Sequence, residues 1–402
     1  MTDPWSEFVQ RVDDANCAGY IERVDPKDPK HASVQMFLDA DAILRLRPED
    51  TVEELESTAR EFIGPDRSRM LVGYVGFDAA GIFEPLLHRF PGGSPFPLGE
   101  LAVVRAMKPT RIAVPPVQAL APALKKRVVP DPITETLGVR EFEARVAGLR
   151  QSIRDGEAFQ VVLSRRRTFR RPRDLPERAA VLRRTERFRT FYYLKFRDRS
   201  MVGATPEGVV RYAGHRASIH PIAGTRPLGE PAKGRPALKL DPKELAEHRM
   251  LVDLARNDLG RLAKPGTVQI EWTERAEKFA RLEHLVSSVS ADIPNGVGPF
   301  RMLASAFPAG TVCGAPKIRA THLLRSAEAS WRGPFGGAIG SIGPDDHTDW
   351  ALAIRSGFVA GPYLYTAAGA GIVWPSEPRR EFTETESKLA HIETVLLGED
   401  TS

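Results

Sequence analysis

Phe159-Gln160-Val161-Val162-Leu163-Ser164 follows a segment in which Val139, Phe142, Val146, Leu149 and Ile153 recur at three- and four-residue intervals. That interval predicts an amphipathic helix stopped by Gly156, and the apolar run behind it predicts a strand. Outward from this join, Leu71 to Asp78 reads as a buried strand ending in a turn, and Phe191 to Phe196 as another strand. A second helix begins near Pro242, turns Leu245, Val252, Ala255 and Leu259 inward and closes at Gly260. A last one begins near Arg380 and carries Phe382, Leu389, Ile392 and Val395. Strands come in blocks with helices between them and lack the regular alternation of a doubly wound sheet, so the fold class predicted is α+β. No Gly-x-Gly-x-x-Gly follows a strand and no Walker-type loop occurs, which leaves nucleotide cofactors unsupported.

The chain has 402 residues, room for two average domains or one large one. Its 42% hydrophobic and 27% charged residues are those of a globular protein, not a disordered one. Lys+Arg 57 against Asp+Glu 52 is nearly balanced. The one dense basic run, Arg165-Arg166-Arg167 continuing to Arg170, Arg171 and Arg173, lacks interleaved aromatics, so it reads as a solvated strand end or loop and no nucleic-acid partner is expected. The excess charge also suits a basic mouth for a dianionic substrate. The two cysteines, Cys17 and Cys313, have no paired spacing, which argues against a disulfide framework and suits a reducing cytoplasm. The N-terminus has no export-signal pattern. The only long uncharged stretch, Ser356 to Trp374, is broken by Gly357, Gly361, Pro362, Gly369 and Gly371 into short strands around a turn, so no membrane span is expected. Pro115, Pro116, Pro122, Pro130 and Pro132 mark a loop-rich connection.

Three constellations could carry chemistry. Glu244 and Glu247 lie three apart on the second helix, and Glu381 and Glu384 repeat that spacing on the last, with Lys388 a further turn along. Each pair alone reads equally as a solvated helix face; if the faces converge, they supply the hard oxygen ligands suited to Mg2+. Glycine turns with small hydroxyl residues form the second set: Pro221-Ile222-Ala223-Gly224-Thr225-Arg226-Pro227, Phe307 to Lys317 around Thr311, and Ala368-Gly369-Ala370-Gly371-Ile372. They are ordinary tight turns, or places where backbone N–H groups approach a carboxylate unhindered by a Cβ. The third set is single polar residues among apolar ones: Gln160, Glu207, His284 and Arg355. A buried Glu can stay protonated as a general acid and an Arg can hold a carboxylate bidentately; a satisfied core histidine and a structural ion pair are the plain readings of His284 and Arg355.

In order and in register, these segments resemble the chorismate-utilising family of anthranilate, aminodeoxychorismate, isochorismate and salicylate synthases. The resemblance runs from about residue 139 to 397, taking in Pro221 to Gly229, Asp241 to Gly260, Glu283 to Ser287, Phe307 to Lys317, Arg332 to Gly340 and Ala368 to Lys388. Residues 1–125 match more weakly, although Val72 to Asp78 also looks like the family's. The resemblance implies one chorismate-binding domain over 1–402 with its catalytic core at 139–397, folded as a single large sandwich of two mainly antiparallel sheets with outer helices. It implies Mg2+ held by Glu244, Glu247, Glu381 and Glu384. It implies a substrate pocket of Gly224, Thr225, Thr311, Phe335, Arg355, Gly369, Gly371 and Lys388. Glu207 would protonate the departing C4 hydroxyl, and His284 would assist loss of pyruvate or position the ring.

The nucleophile separates the family's activities. Members that add water resemble one another in carrying a lysine base where this chain has Gln160, and ammonia needs no such base. Many aminodeoxychorismate synthases carry a lysine where this chain has Ala223. Both absences favour ammonia and an anthranilate-type product, with aminodeoxyisochorismate or aminodeoxychorismate as alternatives, then isochorismate or salicylate, and last an inactive binding paralogue. Phe335 stands where the family usually has tyrosine. Tryptophan-sensitive anthranilate synthases carry Leu-Leu-Glu-Ser and Asn-Pro-Ser-Pro-Tyr-Met segments; here the counterparts are Tyr20-Ile21-Glu22-Arg23 and Phe188 to Leu194, so weak or absent tryptophan feedback is expected, as in a specialised-metabolism paralogue. Neither Asn16-Cys17-Ala18 nor Val312-Cys313-Gly314 looks like a glutaminase elbow, which implies a separate glutamine amidotransferase partner.

Overall fold

The computed structural model describes all residues except 1–2, 25–27, 88–91, 115–126, 187, 228–241, 280–281, 329 and 400–402. Among the described residues, two sheets of ten strands each form the middle of the molecule. In the first, Gly314–Ala315, Gln160–Arg170, Tyr363–Ile372, Ser356–Ala360, Arg199–Thr205, Thr190–Phe196, Cys17–Val24, His31–Phe37 and Thr110–Ala113 lie side by side. The second runs Ile222–Pro227, Leu282–Asp292, Arg216–Ile219, Gly208–Ala213, Thr348–Leu352, Ala338–Ile342, Arg69–Val75, Gly99–Arg105 and Ala42–Leu46. Each has a further strand off this path, Thr134–Glu135 and Gln269–Phe279 respectively. The pairings are antiparallel, and strands from the first third are woven among later ones: Cys17–Val24 pairs with Thr190–Phe196, and Arg69–Val75 with Ala338–Ile342.

Side chains alternate between the two faces of a strand, and the alternation sorts the core into layers. Ile21, Tyr74, Leu194, Met201, Ile339 and Phe358 fill the space between the sheets. Tyr20, one residue from Ile21, points the other way and meets the edge of Trp5 from the Pro4–Val12 helix, ring centroids 4.9 Å apart. Trp5, Phe8, Leu182 and Ile392 cover the outer face of the first sheet. Leu55, Val252, Leu259 and Phe300 belong to the apolar cluster that covers the second. The α+β sandwich with outer helices is therefore as the sequence implied.

The helix after Gly138 spans Val139–Arg154, and Gly156 beyond it has φ +82°, a conformation glycine adopts without a Cβ penalty. The last helix begins two residues earlier than its apolar pattern suggested, at Pro378, because proline is well tolerated in a first turn. Ser356 to Trp374 is indeed broken into strands, Ser356–Ala360 and Tyr363–Ile372. Among the described residues no helix is long and apolar enough to cross a membrane. Pro115, Pro116 and Pro122 lie outside the described residues.

The arginine run requires a correction. Arg165, Arg166, Arg167 and Arg170 continue the strand Gln160–Arg170, and Arg165 is 1% exposed. Its charge is matched inside the protein by Glu135 and Glu386, partners far away in sequence. A charge run read from sequence shows no such partners, so the solvated reading was the simpler one.

Candidate active site

The chain crosses from one sheet to the other at two neighbouring places. Arg199–Thr205 belongs to the first sheet and Gly208–Ala213 to the second, with Pro206 and Glu207 between them. Thr348–Leu352 belongs to the second and Ser356–Ala360 to the first, with Arg355 in the connection. The crossings are stitched together: Leu352 N–H donates to the Glu207 carbonyl at 2.9 Å, and Ala204 N–H to the Arg355 carbonyl at 3.3 Å. Arg355 has φ +53°, a conformation costing a non-glycine residue about 1–3 kcal/mol that persists only where its surroundings enforce it.

Beside these crossings lies a cavity of about 640 Å³. It is lined by Gln160, Glu207, His284, Thr311, Phe335, Arg355, Gly369, Gly371 and Lys388, together with Glu244, Glu247, Glu381 and Glu384. Residues spread over more than 220 positions of sequence thus meet in one place. Gly224 and Thr225 belong to the strand Ile222–Pro227, but their side chains lie outside the described residues; Ala223 before them lines the cavity. A larger cleft of about 1230 Å³ opens beside Asp13–Cys17 and holds none of these residues, so size alone does not locate the site.

Glu207 carries the most perturbed chemistry here. Burial pushes its carboxyl up to about 7, against smaller opposing effects from Thr311, Arg189 and Lys388. Glu207 is half-buried and lines the cavity. Thr311 Oγ1 donates to Glu207 Oε1 at 2.6 Å, which fixes the carboxyl's orientation. A carboxyl poised near neutrality can donate a proton and take it back.

Two glycines shape the floor. Gly371 pairs with Val162 and Gly369 with Ser164 on the neighbouring strand. A Cβ on Gly371 would lie 2.6 Å from Gln160 Nε2, and one on Gly369 3.0 Å from Val162 Cγ1, so only glycine leaves these side chains their places. Lys388 Nζ donates to the Gly369 carbonyl at 2.7 Å and pairs with Glu384 at 2.7 Å. His284 is buried in the strand Leu282–Asp292, opposite Glu277. Phe335 is buried with its ring 5.9 Å from the Arg332 guanidinium.

The apolar wall of Val162, Val312, Ile354 and Ala367 was missed from sequence, as was Ser387. Part of it could have been found. The strand period of two that places Gly369 and Gly371 on one face also places Ala367 there, and sets Val162 beside Gln160.

The four glutamates reach the cavity from two helices, Pro242–Gly260 and Pro378–Leu397. Among the described residues no three His, Cys, Asp or Glu side chains form a ready-made metal cage. This donor set nevertheless fits Mg2+, which is bound through one or two carboxylates and fills its shell with water and substrate oxygens. It fits a soft metal poorly, since among the described residues neither Cys nor a pair of His lines the cavity.

This fold and cavity define a class. Residues 15–394 match the model of the chorismate binding enzyme family, and the chain belongs to that family. It is similar to anthranilate synthase component 1 of Streptomyces coelicolor, 44% identical over 263 residues that cover 63% of this chain and 51% of the relative. With the same component of Saccharolobus solfataricus it shares 39% identity over 266 residues, 65% of this chain and 63% of the relative. The match thus spans between about half and two thirds of the length of these relatives. Among solved structures, anthranilate synthase component I from Streptococcus pneumoniae superposes with TM-score 0.70 at 25% identity, covering 93% of this chain and 90% of that one. The menaquinone-specific isochorismate synthase from Escherichia coli gives TM-score 0.73 at 18% identity over 98% and 91%, a likeness of fold.

Proposed function

We propose that this chain aminates chorismate with ammonia in a Mg2+-dependent reaction and releases anthranilate and pyruvate. The observation that carries the reading is Glu207, a carboxyl held near neutrality and oriented by Thr311 inside a cavity lined by Arg355 and four glutamates. Chorismate is a dianion, and the cavity offers two kinds of carboxylate seat. Arg355 and the backbone around Gly369 and Gly371 hold one carboxylate, with Lys388 beside them; the family resemblance alone assigns Thr225 to the same seat. Mg2+ at Glu244, Glu247, Glu381 and Glu384, when bound, supplies positive charge for the other.

Glu207 gives its proton to the C4 hydroxyl, which leaves as water while ammonia forms the new bond at C2. The added nitrogen then sheds its extra proton, which returns Glu207 to its acid form. Loss of the C2 hydrogen and departure of the enolpyruvyl group, which takes up a proton to become pyruvate, make the ring aromatic. His284 assists this second step or positions the ring. Chorismate and ammonia thus give anthranilate, pyruvate and water.

Ammonia is favoured because, among the described residues lining the cavity, no amine is free to deprotonate water. Lys388 is the only lysine among the described residues lining the cavity, and it is engaged by Glu384 and the Gly369 carbonyl. Gln160 and Ala223 occupy the two places where relatives that use lysine would carry it. The chain also lacks a suitable nucleophile for releasing ammonia from glutamine. Cys17 and Cys313 are both buried, and burial pushes the Cys17 thiol up to about 12 and raises that of Cys313. A separate glutamine amidotransferase subunit therefore supplies the ammonia, and the reaction belongs in the cytoplasm.

The test is to incubate the chain with chorismate, Mg2+ and ammonium and identify the product by mass and fluorescence. Anthranilate is expected. Isochorismate or salicylate formed without ammonium would overturn the reading. An aminated product that retains the enolpyruvyl group would move it to aminodeoxyisochorismate or aminodeoxychorismate. Turnover with glutamine alone would remove the separate subunit.

A further inference from the structure

The strand Gln160–Arg170 works on both faces. Gln160 and Val162 line the cavity, while Arg165 and Arg167, at odd-numbered positions, turn to the opposite face. There they meet the Pro378–Leu397 helix, which carries Glu381, Glu384 and Lys388 on another of its sides. Arg165 has a side chain that is 0% exposed and donates to Thr385 Oγ1 at 2.7 Å. It also pairs with Glu135 and Glu386, and its guanidinium lies 4.3 Å from the centre of the Phe382 ring. Arg167 donates to Glu135 at 3.0 Å and to Glu393 at 3.1 Å, and also reaches Glu386. Glu393 in turn accepts from Thr366 Oγ1 at 2.7 Å.

We infer that Arg165, seconded by Arg167, is a positioning residue that sets the register of this helix and thereby places Glu381 and Glu384 in the cavity. The inference rests on the Mg2+ reading above and adds to it. Successive helical residues advance 1.5 Å and turn about 100°, so a slip of one residue would carry both carboxylates out of the cavity wall. An apolar helix face permits such adjustment, because hydrophobic contact is not directional. Directed bonds from two arginines to Thr385, Glu386 and Glu393 do not. A buried guanidinium also needs its full set of partners, so the arrangement holds as a unit. Groups that orient metal ligands characteristically change metal affinity about 10- to 100-fold when removed.

Mn2+ is the probe, titrated by electron paramagnetic resonance into the full chain with chorismate present and ammonium left out. Arg165→Met is expected to raise the Mn2+ dissociation constant about 10- to 100-fold, and Glu386→Gln by about tenfold. Arg183→Met is the control, because Arg183 is a buried arginine bridging Glu22 and Asp3 elsewhere in the fold. It is expected to lower the melting temperature while leaving Mn2+ binding unchanged. Where Arg165→Met does not fold, Arg165→Lys and Glu386→Gln decide the matter. Folded variants that bind Mn2+ like the parent chain would overturn the inference, as would equal weakening by Arg183→Met. A parent chain that binds no Mn2+ overturns the metal reading as well, which separates the two failures.

Discussion

The cavity has two unlike walls. Glu207 and Arg355 sit on short crossings between sheets, where backbone hydrogen bonds from Leu352 and Ala204 hold the chain on both sides. The four glutamates sit on helices, whose positions depend on side-chain contacts. The Pro242–Gly260 helix is tied by His248 to Ser287 at 2.6 Å and by Asp258 to Lys317 at 2.8 Å. The Pro378–Leu397 helix is tied by the two arginines. Backbone bonding fixes an atom that must meet a particular substrate oxygen, whereas side-chain ties suffice for ligands whose metal fills its own shell with water. On the proposed function, proton transfer and one carboxylate seat, at Arg355, would fall to the sheet wall, and metal holding to the helical wall. Substitutions on the two walls should fail in different ways.

The largest effect belongs to the sheet wall. Glu207→Gln keeps the shape and loses the proton, so turnover should fall by about 10²- to 10⁴-fold, the range a general acid contributes. Chorismate binding should stay largely intact, which a KM or equilibrium measurement checks. Unchanged turnover would remove Glu207 as the acid. On the helical wall, Glu381→Gln should instead weaken Mg2+ binding by more than the roughly 10- to 100-fold that loss of a supporting group costs, with turnover recovering as Mg2+ is raised. Turnover that stays low at saturating Mg2+ would show that the walls are not separable in this way.

The same division explains what could be read in the sequence. The helical carboxylates were visible because their three-residue spacing is local, and Glu207 because a charged residue follows Thr205-Pro206 beside apolar strands. What made them a site was not visible, since the two crossings are joined by hydrogen bonds between residues near 204–207 and 352–355. The Arg165 network was misread for the same reason, as its partners Glu135 and Glu386 lie 30 and 221 positions away. Periodicity reports which face a residue takes and not what waits opposite that face. The family resemblance supplied two antiparallel sheets with outer helices, but the order of the strands, with early ones inserted among late ones, came neither from it nor from any local pattern.

A smaller effect should appear in the pH profile. With Glu207 near 7, the protonated acid is plentiful below that value and scarce above it, so turnover should fall as pH rises through about 7. The proton is bound more readily in the folded chain than in an unfolded one, whose carboxyl titrates at its ordinary lower value. The stability contributed by this group is therefore complete below that ordinary value and is lost as pH rises through about 7. Thr311→Val removes a bond that favours the carboxylate, so it should move the alkaline limb of the rate profile to higher pH. A limb that moves down would show that Thr311 instead stabilises the protonated form.

The smallest expected response is to tryptophan, and it tests whether the sheet wall can be reached from behind. Tyr20-Ile21-Glu22-Arg23 and the strand Thr190–Phe196 lie side by side, with Arg23 opposite Thr190 and Glu22 opposite Phe191. Arg23 and Thr190 line a second cavity of about 460 Å³ that also touches Gly208, the residue after Glu207. Binding there could therefore disturb the acid. Two charged residues of this segment already have partners, however. Glu22 is buried and bonded to Arg183 at 2.6 Å, and Arg23 donates to Gln35 at 2.7 Å and to the Asp349 carbonyl at 3.2 Å. An amino acid seated against Arg23 would have to compete with those bonds. Micromolar tryptophan should leave turnover unchanged, and half-inhibition in that range would show that the cavity rearranges to admit it.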